Sequence, residues 1–298
     1  IRDSYKPPAG GLHPRETAEH HSRVAAEVIK QTLEQAHVTM PDIDAIAYSK
    51  GPGLAPCLYV GLVAARTLAY IYRKPLVGVN HCIAHIEIGK HICNVRNPAV
   101  LYVSGGNTQI IALEGGYYRV FGETLDISIG NLLDQFARYI GYPHPGGPKI
   151  EELASRGKKL IELPYVVKGM DLSYSGLLTE VKKRYNRGEN PEDLCYSLQE
   201  IAFAMLCEVT ERAMAQTGKR DVLVVGGVAS NRRLAEMLEI MADERGGRAY
   251  HVPMDYAVDN GAMIAYTGEL MFSAGISESL GESRVSQRYR TDEEKIIW

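Results

Sequence analysis

The chain carries none of the features that would place it outside the ordinary globular class. No run comes near the eighteen or so apolar residues that a membrane span needs, so no membrane partner is expected. The opening residues Ile1-Arg2-Asp3-Ser4-Tyr5-Lys6-Pro7-Pro8 are polar and resemble no secretory leader. No initiator Met is present, and Ile1 is therefore expected not to be the natural start. Low-complexity segments and short-period repeats are lacking as well. Cysteine is sparse: Cys57, Cys82, Cys93, Cys195 and Cys207 are scattered, odd in number and form no Cys-x-x-Cys pair. That pattern fits reduced thiols in a cytosol better than a disulfide frame or a zinc ribbon. An excess of positive charge is also missing. The formal net charge is −3, so nucleic acid would have to be attracted by local basic patches or by a partner.

What is present is enough chain for two lobes: 298 residues, 45% hydrophobic and 23% charged, the balance of a folded soluble protein. Apolar Val24, Val28, Ile29 and Leu33 fall on one face of a helix predicted from Pro14 to Ala36. A strand is predicted at residues 45–48, a helix at about 58–72, a short buried strand at 75–79, and then a helix that opens with His81. The first third thus reads α-β-α-β-α, which implies parallel strands joined by crossover helices. Residues 99–104, 108–113 and 117–124 read as three close strands linked by hairpin chemistry. Helices follow at 129–140, 149–156, 176–185 and 191–217. Then come a strand at 222–225, a helix at 231–244, a strand at 249–252 and a helix from Asp259 to about Ser273.

This order implies an α/β protein of two ribonuclease-H-like lobes, as in the actin, hexokinase and Hsp70 (ASKHA) ATPases. Lobe I is expected over 1–97, joined by the C-terminal segment 274–298, and a nucleotide-binding lobe II over 98–273. Lobe I lacks three opening strands. On that count roughly 25–30 residues are expected to precede Ile1, from strands of about five to six residues and short turns.

His81 and His85 stand four residues apart and share one helical face, where they can grip one ion. The zinc-protease pattern needs Glu after the first His, and Cys82 stands there instead; the plainer reading of Cys82 is a small buried side chain. Asp259 and Tyr102 lie where an α/β sheet opens onto its cleft. A His, His, Asp, Tyr set suits iron, zinc or manganese about equally. Tyr102-Val103-Ser104-Gly105-Gly106 has two open readings: a hairpin turn, or bare backbone that approaches a phosphate. Gly226-Gly227 followed by Asn231 is either a capped β-α turn or an anion-binding helix start. His144-Pro145-Gly146-Gly147-Pro148 enters a helix that carries Glu151. Asp134, early in its helix, either complements the helix dipole or holds a ribose hydroxyl or metal-bound water. His20, His21, His144 and His251 have no evident partner. Three glycine turns at comparable points of an ATPase-like order favour a nucleotide.

Together these residues resemble the universal tRNA threonylcarbamoyladenosine synthase family, called TsaD in bacteria, whose archaeal and eukaryotic members belong to the KEOPS complex. The resemblance runs from Pro7 to the end. It is carried by Pro14-Arg15-Glu16, Gly51-Pro52-Gly53-Leu54, residues 79–85, residues 102–109, Gly122-Glu123-Thr124-Leu125-Asp126, residues 133–138, residues 144–148, Asp171-Leu172-Ser173-Tyr174-Ser175-Gly176 and residues 226–231, in wording that looks archaeal. It departs where the family's N-terminal strand and phosphate turn would precede Ile1.

The resemblance implies His81, His85, Tyr102 and Asp259 as ligands of one divalent metal, with iron favoured and zinc or manganese as alternatives. It implies Tyr102, Val103, Ser104, Gly105 and Gly106 as the phosphate cradle, and Asp134, Gly147, Glu151 and Asn231 as nucleoside contacts for ATP or threonylcarbamoyl-AMP. The activity implied is a metal-dependent acyl transfer of threonylcarbamoyl to the N6 amine of the adenosine beside the anticodon in ANN-decoding tRNA. No residue is assigned as acid, base or nucleophile. The partners implied are tRNA, a small kinase-like ATPase near the second lobe, and a small dimerising subunit on first-lobe helices. A cytoplasmic location goes with these. A metallopeptidase (glycoprotease) and an ASKHA kinase or scaffold are the alternatives.

Overall fold

The computed structural model describes residues 1–5 and 13–298. Pro7, where the resemblance begins, lies outside the described residues. By its contacts the chain divides into two compact units. The first holds residues 1–88, 116–118 and 259–298; the second holds 89–115 and 119–258.

The first unit opens with α1 (Pro14–Ala36), as its apolar face requires, with a proline in the first turn. Strand β1 (Ile46–Gly51), helix α2 (Ala55–Tyr72), strand β2 (Leu76–Asn80) and helix α3 (His81–Cys93) follow. β1 and β2 pair in parallel, with Ile46 opposite Leu76 and Ser49 opposite Val79. β2 is buried at every position, which explains its continuous apolar run. Tyr48, Leu62, Ala65, Ala69 and Leu76 form the core of this unit. One sequence reading needs correction. α2 reaches the length and composition of a membrane-crossing helix, with mean hydropathy 1.3, because Arg66 is its only charged residue.

In the second unit β3 (Ala99–Val103), β4 (Thr108–Glu114) and β5 (Tyr117–Glu123) are followed by α4 (Ile129–Tyr139) and α5 (Gly147–Ala154). A two-residue pair, β6 (Val167–Lys168) and β7 (Asp171–Leu172), leads to α6 (Ser175–Asn186) and α7 (Pro191–Thr217). β8 (Val222–Val225), α8 (Arg232–Glu244), β9 (Ala249–His251) and the short α9 (Met254–Ala257) complete the unit. The sheet runs β5-β4-β3-β8-β9. β3 is antiparallel to β4 and parallel to β8, and β8 is parallel to β9. Three neighbouring strands, then a crossover to two parallel ones, is the ribonuclease-H-like order expected from the sequence. α7 lies at the centre of the core, with Leu198, Phe203, Leu206 and Met214 wholly buried. The β6–β7 pair went unforeseen because two residues carry no periodicity.

The final helix, α10 (Gly261–Ser273), lies in the first unit, whereas the sequence places residues up to 273 in lobe II. It packs on β1: a Cβ on Gly268 would lie 2.5 Å from the Ala47 Cβ. The chain then straps across the same unit. Glu278 N–H donates to Leu76 O, and Ser286 N–H donates to Lys50 O, each over 2.7 Å. Lys50 and the Tyr48 hydroxyl both bond to the Glu278 carboxylate.

Two outcomes follow from this packing. Gly268→Val forces α10 off β1 and should cost about 1–3 kcal/mol, read as a lower denaturation midpoint. Gly61→Ala in α2, where an added Cβ meets nothing within 4 Å, should raise stability by about 0.5–1 kcal/mol. An unchanged midpoint for Gly268→Val would contradict this packing of α10.

Candidate metal centre and nucleotide-binding residues

His81 and His85 owe their placement to a junction without a loop. β2 ends at Asn80 and α3 begins at the next residue. The buried Asn80 side chain caps the helix: its Oδ1 accepts from the N–H groups of Cys82 (3.0 Å) and Ile83 (3.3 Å). Its amide donates to Arg290 O at 3.0 Å. The cap therefore fixes the helix start and ties it to the C-terminal strap. Sequence reasoning missed this role, although an Asn before a helix is a standard cap signal.

The two imidazoles meet edge to face, with ring centroids 4.9 Å apart. Both Nε2 atoms converge on one oxygen, Asp259 Oδ1, at 3.3 Å from His81 and 3.2 Å from His85. Asp259 lies just before Asn260, whose side chain caps α10 by accepting from Met263 N–H. This corrects the expected geometry: α9 stands between the last strand and Asp259. His85 is buried, which lowers its pKa, as does the nearby His81, while the Asp259 carboxylate opposes the shift. Neutral imidazole is the ligating form. For Asp259, hydrogen bonds from His81 and His85 hold the carboxyl below the usual carboxylate range. Its side chain remains 81% exposed.

The donor set fits a metal. The three ligand atoms all lie within 4.8 Å of one another. An ion about 2.1 Å from each of two donors at right angles sets them roughly 3 Å apart, close to the spacing seen. Two imidazoles and one carboxylate suit iron, zinc and manganese. Tyr102 is buried in β3 of the second unit, paired with Gln109 and Val225.

The second unit collects the nucleotide candidates. After Val103, Ser104 turns the chain: its Oγ accepts from Gly106 N–H (3.3 Å) and Asn107 N–H (3.0 Å). Ser128 Oγ donates to Gly105 O at 2.6 Å, which holds the turn beside the start of α4. A Cβ on Gly105 or Gly106 would meet nothing within 4 Å, so this backbone faces open space. Gly226 at the end of β8 has φ +95°, and a Cβ there would lie 2.3 Å from Val103 O. Glycine is required on both counts.

Asp134, Glu151 and Asn231 all have partners inside the protein. Asp134 accepts from Gly146 N–H at 2.6 Å and pairs with His144 Nδ1 at 3.1 Å, so His144 has the partner that the sequence did not reveal. Glu151 accepts from the Arg232 N–H at 3.0 Å and from its Nε at 3.3 Å. Asn231 is buried; its Oδ1 caps α8 through Arg233 and Leu234, and its amide donates to Gln199 at 2.8 Å. These residues shape helix starts. Gly147, the first residue of α5, has open space where a Cβ would point. Asp126 clamps the neighbouring loop by accepting from Ser173 Oγ and from the N–H groups of Tyr174 and Ser175.

His81→Ala should abolish stoichiometric metal binding and leave the far-ultraviolet circular dichroism unchanged, since the core of neither unit depends on it. Metal analysis of protein purified without tags or chelators reads the outcome, and full metal content in the variant would contradict the site.

The tRNA N6-adenosine threonylcarbamoyltransferase (TsaD) profile matches residues 1–266. The protein of that name from Thermococcus kodakarensis is 58% identical over 299 aligned residues, covering 100% of this chain and 92% of its relative. The Methanopyrus kandleri protein of the same name is 54% identical, with 100% and 89% covered. A Methanocaldococcus jannaschii protein named as a probable bifunctional tRNA threonylcarbamoyladenosine biosynthesis protein is 55% identical. It is matched over 99% of this chain but only 55% of its own length. Among solved structures, T. kodakarensis HypF aligns with TM-score 0.64 at 17% identity, over 78% of this chain and 41% of that one. This chain thus spans less than half of HypF, and the likeness is one of fold. On the family profile and these relatives, the chain belongs to the tRNA N6-adenosine threonylcarbamoyltransferase family.

Proposed function

We propose that the chain transfers a threonylcarbamoyl group from threonylcarbamoyl-AMP to the N6 amine of the adenosine beside the anticodon in ANN-decoding tRNA. The observation that carries this reading is the His81–His85–Asp259 triad in a chain 58% identical to a relative bearing that enzyme name. In the reaction the N6 nitrogen attacks the carbamoyl carbon of the mixed anhydride. The bond from that carbon to the phosphate oxygen breaks, AMP departs and the amine loses one proton.

His81, His85 and Asp259 would hold one divalent metal, with iron favoured. Such an ion would supply Lewis-acid polarisation of the anhydride. The turn of Val103, Ser104, Gly105 and Gly106 would bring open glycine backbone to the phosphate, a preorganised arrangement for developing negative charge. Gly147 leaves room for the nucleoside. Asp134, Glu151 and Asn231 support the site from behind, by holding the starts of α5 and α8, and this positioning role replaces direct contact in our reading.

A partner is needed as well. The exposed face of α2 carries Tyr59, Val63, Tyr70 and Ile71, each more than half exposed. An apolar surface of that kind on a polar chain marks an interaction site. It suits the small dimerising subunit of a KEOPS-type assembly, with the kinase-like ATPase bound elsewhere and the whole acting on tRNA in the cytoplasm. A peptidase is disfavoured because Cys82, where its general base would stand, is apolar and buried.

The test incubates the chain, with and without those two subunits, with tRNA and threonylcarbamoyl-AMP, and in parallel with casein and with glucose plus ATP. Modified tRNA alone is expected, with yield rising when the subunits are added and falling again for Val63→Glu. Casein cleavage or glucose phosphorylation without tRNA modification would overturn the reading. Gly105→Val should weaken ATP binding by at least about tenfold, or about 1.4 kcal/mol, by calorimetry. Unchanged affinity would remove the cradle assignment.

A further inference from the structure

On the second unit, α4 and α6 end side by side and build a surface that the chemistry above leaves unused. Phe136, wholly buried, packs edge to face on Tyr185 with centroids 6.5 Å apart. Tyr185 in turn meets Tyr139 at 6.0 Å. Tyr139 reaches the surface, 42% exposed, and its hydroxyl donates to Asn186 Oδ1 at 2.8 Å. The ring is thus anchored at its edge and presented to solvent by its neighbours. Lys182 Nζ stands 5.2 Å from its centroid.

Arg138 precedes Tyr139 in the last turn of α4, and Lys182, Lys183, Arg184 and Arg187 lie in the last turns of α6 or at its C-cap. Arg184 is bound by Glu180 at 3.0 Å and Glu189 at 3.2 Å. Lys183 only approaches Glu180, at 3.7 Å. Among the described residues Arg138, Lys182 and Arg187 form no ion pair. Five cations face two carboxylates, in a chain whose net charge is −3. Two helix C-termini end here, each equivalent to roughly half a negative charge. Together they offset about one of the three surplus positive charges and leave the surface cationic.

We propose that the ends of α4 and α6 form a docking surface for the tRNA substrate, with Arg138, Lys182 and Arg187 on phosphates and Tyr139 as a stacking platform for an unpaired base. This rests on the reading of the chain as a tRNA-modifying enzyme and adds a place where the RNA is held. A cationic rim around an exposed, preorganised aromatic ring is what single-stranded RNA recognition uses. A chain of negative net charge needs such a local patch to bind a polyanion at all.

The experiment measures binding of unmodified tRNA by fluorescence anisotropy at several salt concentrations, for the full chain assembled with its partner subunits. Modification is assayed in parallel. For the double variant Lys182→Gln/Arg187→Gln the slope of log affinity against log salt should become shallower by about 1.4 to 1.8, the loss of two phosphate contacts. Tyr139→Ala should weaken binding about fivefold or more with the slope unchanged, whereas Tyr139→Phe should bind like the wild type. ATP affinity by calorimetry should be the same in all variants, which confirms their folding. Wild-type modification together with unchanged binding and slope in the variants would overturn the surface and leave the functional reading standing. Unchanged tRNA binding with loss of one protein subunit would assign the surface to an acidic protein and likewise overturn the proposal. A wild-type assembly that neither binds nor modifies tRNA would overturn the functional reading itself.

Discussion

The candidate centre depends on the direct passage from β2 into α3. A loop at that point would let the helix rotate. Its absence, with the Asn80 side chain bonded to two N–H groups of the first turn, sets the azimuth of α3 and so directs His81 and His85 to the same oxygen. Asn80 is buried and its amide is also used, on Arg290 O. Removing the side chain would lose a cap worth about 1 kcal/mol and the tie to the Arg290 carbonyl. Asp259 is delivered to the same point by α10, whose approach to β1 is set by Gly268. The triad is therefore rigid because both of its sources are anchored to the same two-stranded core.

The second unit uses the same device in a different form. Ser104, Ser128, Asp134 and Asn231 each bond to backbone groups in turns or at the starts of helices. Each bond fixes a place where N–H groups or open glycine backbone can face an anion. Helix starts carry a partial positive charge, and the glycines at 105, 106 and 147 keep side chains away. In our proposal the polar side chains that a motif reading takes for direct contacts act as struts behind the contact surface. The buried Cys195 and half-buried Cys207 are equally structural: desolvation pushes their thiols up to about 12, out of reach of nucleophilic chemistry.

The architecture was legible in the sequence wherever periodicity ran long. α1, α7 and the strand β8 fall at the residues predicted: α7 and β8 have a buried face or run that ends at Gly218 or Gly226, and α1 has a helical apolar period with Pro14 in its first turn. The order of elements also revealed the sheet of the second unit, since three close strands followed by helices allow few arrangements. Short elements such as β6, β7 and α9 escaped, having too few residues to show a period. The spacing of His81 and His85 pointed to a metal because i and i+4 share a face. What the sequence could not show was long-range pairing: Asn231 with Gln199, Asp134 with His144, Glu151 with Arg232. These meet through tertiary packing across gaps that no local pattern spans. The assignment of α10 to the first unit escaped for the same reason, since the space that Gly268 leaves for Ala47 is invisible in a linear chain.

The most direct test of the account is the dependence of threonylcarbamoyl transfer on metal occupancy. Protein assembled with the proposed subunits is stripped by a chelator and reloaded in steps. The rate of transfer from threonylcarbamoyl-AMP to tRNA is then measured at each occupancy. The account predicts a rate proportional to the metal bound, with none in the stripped protein. Full transfer by metal-free protein that still folds and still binds ATP would contradict it.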